Sequence, residues 1–520
     1  MADMNEIAPA QAGWREWTGL SVLILPTLLL SIDISVLHLA VPALTEDLRP
    51  TGSELLWISD IYGFLIAGFL ITMGTLGDRV GRRKILLIGG AAFAGASALA
   101  AYAPTAELLI VARGLLGVAG ATLMPSTLSL ISNMFRDPGQ RTRAISLWMT
   151  GFIGGMVIGP LVGGVLLEHF WWGSVFLVNV PVMVVLLVAG PLLLPEYRNP
   201  GSGRLDLVSV ALSMAAVLPA IYGVKELAAG GFGWGPVAGI AAGLALGAVF
   251  IRRQRLLADP LLDLTLFGDR KFSASLGTLM LVTMIGPGLG LLAGQYLQLV
   301  EELSPLEAGL WMLPMSAALI VGFAVTPVLA RRFRPAHVIA GGLVVGVLGM
   351  LLFTQAGSSS GLAYVVIGQS MFFAGSSPLM VLGIDMVVGA APPERSGSAS
   401  ALSETGQEFS AALGLAVLGS LATVVYRASL SVPEGTPDVA ADAARDTLGG
   451  AVGAAAGQPA GVAAELLATA RSAFSDGLAA AGAASAVIML AAAVLAVTSL
   501  RRVPPIGSTA PVQEAEHAAT

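Results

Sequence analysis

Fourteen apolar runs, each long enough to cross a bilayer, fill almost the whole of this 520-residue chain. A hydrocarbon core of roughly 30 Å takes about 20 mostly apolar helical residues. Runs of that kind lie between charged or Pro/Gly-marked breaks near 18–42, 55–76, 84–102, 107–132, 144–167, 174–194, 206–227, 234–251, 272–299, 307–329, 337–354, 362–390, 399–425 and 474–499. Several carry internal Gly and Pro, which membrane helices tolerate. Composition agrees, with 55% of residues hydrophobic and 12% charged, about half the charge that covers a soluble domain. A soluble enzyme, a disordered chain and a secreted disulfide scaffold are poor readings. The fold class expected is an all-α integral membrane protein.

The bases orient it, because cytoplasmic loops collect Lys and Arg. Of the 27, only Arg49, Lys225, Arg427, Arg445 and Arg471 fall on outer segments and only Arg113 falls within a span; the other 21 fall inside. Both ends are therefore expected in the cytoplasm, with an even number of spans in the cell membrane. The chain has no cysteine, which removes thiol catalysis, thiolate metal sites and disulfides. Residues 1–16 set Arg15 against Asp3, Glu6 and Glu16 without an apolar stretch ending in a cleavage-like triplet, so no cleaved leader is expected.

Residues 426–473 form a long, Ala-rich outer segment. Val462, Leu466, Leu467, Ala470 and Phe474 suit a short amphipathic helix outside the membrane, and a loosely ordered loop fits as well. The tail after Pro504 is small and polar and is expected to be disordered. Gly74–Lys84 after the second span has a degenerate echo in Val328–Pro335 after the tenth, which points to two similar halves around a central site.

Ionisable groups inside spans are functional candidates by default. Here they are Asp33, Asp60, Arg113, Asp385, Glu404 and Glu408, five acids against one base. In the thirteenth span Ser400, Ser403, Glu404, Gln407 and Glu408 fall on one helical stripe, which must face a wet cavity or a polar partner. Two carboxylates one turn apart repel if both are ionised, so the pair suits a proton or a bound cation; the alternative for Glu404 is a solvated helix start. Asp33 lies about 15 residues into the first span, roughly 22 Å along its axis, and reads as a cation or proton site or as a hydrogen bonder between helices. Asp60, beside Trp57 and Tyr62, reads equally as a site or as part of an interfacial belt, and Asp385 equally as a site or as a solvated end charge. Arg113 is expected to pair with an acid or a carbonyl and to influence proton affinity nearby, or else to act as a fixed clamp. The four histidines give no metal site, and neither a Gly-rich phosphate loop nor a Walker-type Lys is present, so an ion gradient is the expected energy source, with no cofactor.

These residues resemble the fourteen-span drug/proton antiporter branch of the major facilitator superfamily over nearly the whole chain. Gly74-x-Leu76-Gly77-Asp78-Arg79-x-Gly81-Arg82-Arg83 is similar to the family's loop signature after the second span. Leu30-x-x-Asp33-x-x-Val36-x-x-x-Ala40-x-Pro42 resembles the first-span signature of that branch, and Arg113-Gly-x-x-Gly117 the fourth-span motif whose Arg is implicated in proton coupling. Gly155-x-x-x-Gly159-Pro160-x-x-Gly163-Gly164 resembles the fifth-span antiport motif, with Ser146 where the pattern has a further Gly. Leu56-Trp57-Ile58-x-Asp60-Ile61-Tyr62 and Glu404/Glu408 resemble acid-bearing positions of quaternary-ammonium exporters of the QacA and SmvA type.

The resemblance implies two six-helix bundles, residues 1–195 and 271–503, the second including the outer loop 426–473, with two additional spans in 196–270 and a disordered tail 504–520. It implies export of small lipophilic cations in exchange for protons, by a monomer in the lipid bilayer with no nucleic-acid partner. Asp33, Glu404, Glu408, Asp60 and Asp385 would bind substrate or protons and Arg113 would couple them. Asp78, Arg79, Gly81, Arg82 and Arg83 would form an inner gate, while Gly155, Gly159, Pro160, Gly163 and Gly164 would pack the fifth span. An exporter of a neutral or anionic metabolite or antibiotic is the alternative.

Overall fold

The computed structural model describes residues 11–504 apart from 51, 199–205, 231–232, 258–259, 263, 304, 358–360, 393–395 and 502. The side chains of Asp60 and Pro160 lie outside the described set, as does the tail beyond Pro504.

The described residues form helices and connections, without strands. The first half holds α1 (Trp14–Leu48), α2 (Gly52–Val80), α3 (Arg82–Ala101), α4 (Ala106–Met134), α5 (Pro138–His169), α6 (Ser174–Leu177) and α7 (Asn179–Leu193). An inserted pair follows, α8 (Leu207–Gly230) and α9 (Trp234–Gln254). The second half holds α10 (Arg270–Thr283), α11 (Ile285–Gln295), α12 (Pro305–Trp311), α13 (Leu313–Arg332), α14 (Pro335–Phe353), α15 (Leu362–Ala390), α16 (Ser396–Ser429), α17 (Asp438–Asp446), α18 (Leu448–Ala455) and α19 (Ala460–Leu500). Fourteen segments among the described residues are long and apolar enough to cross a membrane. An even number of crossings puts the start of α1 and the end of α19 on one face, called here the terminal face.

Polar caps set where several helices begin. The Thr105 side chain accepts from Leu108 N–H at the start of α4, and Asp137 from Gln140 N–H ahead of α5, whose first residue is Pro138. Each satisfies an amide that the helix itself cannot. The α2–α3 turn is made by Gly81 at φ 123, and a Cβ there would sit 2.6 Å from the Glu196 carboxylate, so only glycine fits.

Within the first half α1 packs on α5, α2 on α4, and α3 on α4 and α7; within the second, α14 packs on α15 and α19, and α16 on α19. The halves meet where α2 and α4 face α16 and where α5 faces α13. α8 lies against both α2 and α16, with α9 behind it. Gly155 lets α5 close on α1, since a Cβ would collide with Ser31 Oγ and the Leu28 carbonyl, and Gly163 faces Val36 across the same seam. Gly159 is buried, whereas nothing lies within 4 Å of a Cβ on Gly164.

The outer segment differs from expectation. The amphipathic stretch at 462–474 is not a separate helix but the opening of α19, with Leu466 and Ala470 fully buried. No proline interrupts Ala460–Leu500, so nothing stops the helix from running on. The two short helices, α17 and α18, lie before it. Tyr426 donates to the Ala444 carbonyl at 2.7 Å, and Arg471 donates to the Leu299 carbonyl at 3.0 Å.

Candidate functional site

Three long helices bring one ion pair to the middle of the first half. Arg113 Nη1 on α4 donates to Asp33 Oδ2 on α1 at 2.7 Å, with each side chain 2% exposed. The Arg113 Nε donates to the Ile58 carbonyl on α2 at 3.1 Å, and the guanidinium lies 4.5 Å from the centre of the Tyr62 ring. Asn179 Nδ2, at the start of α7, donates to Asp33 Oδ1 at 3.3 Å and to Ser97 Oγ at 3.1 Å. Burying two charges is tolerable only with such pairing and further hydrogen bonds.

Tyr62 joins this pair to the second half. Its hydroxyl is buried and has no hydrogen-bond partner among the described residues. It lies within electrostatic reach of Asp33, Arg113 and, from α16, Glu408. The α16 stripe is polar as its spacing implies: Ser400 donates to the Ser396 carbonyl at 2.9 Å and Gln407 to Ser403 Oγ at 3.2 Å. Glu408 is exposed. Both carboxylate oxygens of Glu404 are shielded and accept no hydrogen bond among the described residues; its electrostatic neighbours are Glu408 and Arg82. Trp57, Phe64 and Tyr222 form an aromatic row from α2 to α8, with ring centres 6.4 and 6.3 Å apart.

Nearer the terminal face the halves are latched. Arg82 is fully buried. Its Nε donates to Asp78 Oδ1 at 2.7 Å, and the Ser398 N–H at the start of α16 donates to Asp78 Oδ2 at 3.0 Å. A Cβ on Gly397 would collide with the Arg82 guanidinium, so the Arg side chain lies against α16. Ser129 and Ser396 hydroxyls bond at 2.6 Å. Asp385, 4% exposed, pairs with Arg141 and accepts from Thr142 Oγ1 at 2.9 Å, tying α15 to α5. Ser146 donates to the Phe323 carbonyl, tying α5 to α13. Arg83 turns the other way, to the Leu194 carbonyl at 3.0 Å and to Glu196, and Arg79 is half-buried at the end of α2.

The structure therefore pairs Asp33 with Arg113 beside Tyr62, sets Glu408 within electrostatic reach of Tyr62 and Glu404 within that of Glu408 and Arg82, and puts Asp385 in the latch with Arg141. Asn179, Ser97, Arg141 and Thr142 join these groups although none belongs to the sequence motifs, and Tyr62, which its place beside Trp57 marks as an interfacial ring, joins them too. Asn179 carried a legible signal, a lone amide in the apolar run 174–194.

The family model described as Major Facilitator Superfamily matches residues 23–425. The chain is 44% identical over 491 residues to the multidrug efflux pump LfrA of Mycolicibacterium smegmatis, covering 94% of this chain and 97% of that protein. It is 34% identical over 425 residues to the methyl viologen resistance protein SmvA of Salmonella typhimurium, covering 81% and 86%. Among solved structures it resembles the human organic anion transporter MFSD10, with a TM-score of 0.56 at 15% identity, over 92% of this chain and 99% of that one.

Proposed function

The chain belongs to the Major Facilitator Superfamily, a multi-pass membrane transporter rather than an enzyme, and on that footing we propose that it exports small lipophilic cations, quaternary-ammonium and dye-like compounds among them, in exchange for protons. The observation that carries this reading is the buried Asp33–Arg113 pair beside the Tyr62 ring, which Glu408 of the opposite half also reaches electrostatically.

Such a centre can exchange one positive charge for another. A lipophilic cation lying along the aromatic row gains from Glu408, whose neighbour Phe409 packs on the cluster of Phe64, while its apolar parts leave water. A proton on Asp33 leaves the Arg113 charge without its partner, and that charge then repels the cation. Exporting a monovalent cation for more than one proton moves net charge inward, and each charge contributes about 2.3 kcal/mol per 100 mV. No cofactor is needed.

The terminal face carries most of the bases and is assigned to the cytoplasm. Residues 1–195 and 271–503 then act as the two rocking bundles, with 196–270 between them. Asp78, Arg79, Gly81, Arg82 and Arg83 form the cytoplasmic gate, helped by Asp385, and Gly155 and Gly163 of α5 give the close packing on α1 on which it moves. Asp60 adds an acid near the outer mouth. The reading takes the transporter as a monomer.

Ethidium flux in vesicles under an imposed pH gradient tests the reading, with wild type beside Asp33→Asn and Glu408→Gln. Gradient-driven flux that both substitutions abolish supports it. Absence of flux from wild type moves the reading to a neutral or anionic substrate.

A further inference from the structure

A chain of hydrogen bonds, buried from Gln254 onward, runs from the inserted pair α8–α9 to the latch. Gln254, the last residue of α9, is 2% exposed. Its amide oxygen accepts from the backbone N–H of Leu261 at 2.7 Å and of Leu262 at 3.2 Å. Its amide nitrogen donates to Ser209 Oγ on α8 at 2.8 Å. Ser209 in turn donates to Asp206 at 2.7 Å, and Arg253 donates to the same carboxylate at 2.8 Å. An amide of this length is the one side chain that offers an acceptor for two N–H groups and a donor for a hydroxyl at the same time.

Held in this way, Leu261 and Leu262 lie between the halves. Leu261 and Leu262 are 1% and 6% exposed, and cluster with Ile71 of α2 and Phe250 of α9. The Leu261 carbonyl accepts from Thr75 Oγ1 on α2 at 2.9 Å and from Ser398 Oγ on α16 at 3.4 Å. Ser398 is also the residue whose N–H holds Asp78. One peptide oxygen therefore accepts from the first half and the second together, beside the Asp78–Arg82 pair. A buried carbonyl needs its donors, and both are present only while the two halves are closed on this face.

We propose that Gln254 is a positioning residue for closure of the terminal face. By gripping the Leu261–Leu262 amides it holds the Leu261 carbonyl as a bridge between Thr75 and Ser398, and so makes the inserted helices a working part of the gate. The transport reading supplies only the purpose of this closure; the bridge is a statement about conformation.

Distance measurement by pulsed EPR tests it without any substrate. Lys84 and Arg334 are exposed on the terminal face of opposite halves, and the chain has no native cysteine, so K84C/R334C takes two spin labels in nanodiscs. Gln254→Met keeps the volume and removes both polar ends. The expected result is a shift of the closed-to-open ratio by about tenfold toward the longer distance. Thr75→Val, alike in shape and without the hydroxyl, is expected to shift it the same way. The double variant should move no further than the larger single one, because both break one path.

A Gln254→Met distribution identical to wild type overturns the proposal, and so does a double variant in which the two shifts add in full. Should Gln254→Met fail to fold, an unchanged distribution in Thr75→Val overturns it equally. Failure of wild type to move any cation would sink the substrate assignment and leave this inference standing. Normal cation flux with unmoved distances sinks this inference alone.

Discussion

Asp33 and Arg113 neutralise each other at 2.7 Å with 2% of either side chain exposed, so removing one charge strands the other. Loss of one partner of a buried pair costs about 3–5 kcal/mol. Asp33→Asn and Arg113→Ala are each expected to lower the melting temperature of the purified protein. The double variant Asp33→Asn/Arg113→Gln should recover most of that loss while ethidium efflux stays absent. A double variant that transports normally would remove the pair from the mechanism.

Glu404 behaves differently, because its shielded carboxylate oxygens accept no hydrogen bond among the described residues. An uncompensated charge there is costly, so Glu404→Gln is expected to keep the melting temperature or raise it, within about 1 kcal/mol. Efflux should nevertheless change, and unequally between cations when a panel of quaternary ammonium compounds and dyes is compared. Uniform wild-type rates across the panel would leave Glu404 a packing residue.

The two glycine positions on α5 separate packing from sequence pattern. Gly155→Ala drives a methyl into Ser31 and the Leu28 backbone, whereas Gly164→Ala meets nothing within 4 Å. The first is expected to cost about 1–3 kcal/mol and most of the efflux activity. The second should be silent in both thermal melts and efflux rates.

Asp385 ties α15 to α5 through Arg141 and Thr142. With Asp385→Asn the Arg141 charge loses its partner, and the terminal face should open more often. Ala399 is fully buried near that face. A single cysteine placed there should react with maleimide about tenfold faster in the Asp385→Asn background, and an equal rate would show that this tie does not hold the face shut.

Asp206, ahead of α8, is held down to about 2, first by the hydrogen bond from Arg253 and then by that from Ser209. A carboxyl depressed in the folded state contributes stability that is complete above its unfolded value of about 3.9 and is lost as pH falls toward 2. Between about pH 5 and 8 its charge is constant. The efflux-against-pH curve of Asp206→Asn should therefore keep the wild-type shape, whatever its height; a shifted midpoint would bring Asp206 into proton coupling.

Much of the architecture could be read along the chain because lipid enforces it. Spans need about 20 apolar residues, and bases stay on one face, so both count and parity follow from local composition. The pairing of Arg113 with an acid was legible too, although five acids were available and the partner lies 80 positions away. Choosing Asp33 required knowing that α1, α4 and α7 converge, which no local period encodes. The Ser398–Asp78 bond, across 320 positions, and the grip of Gln254 are of the same kind. Tyr62 escaped for another reason: beside Trp57 it looked like an interfacial ring, and its buried hydroxyl is visible only once α16 is placed opposite.

The hairpin of α17 and α18 rests on α19 and on the π-type turn Tyr296–Val300, and Tyr426 of α16 fastens it there. Each of these anchors belongs to the second half. The hairpin is thus a brim carried by one jaw, and any tilting of the halves swings it as a rigid passenger. A binder raised against the hairpin would ride along with the movement instead of jamming it, which makes that surface a handle for following single molecules at work.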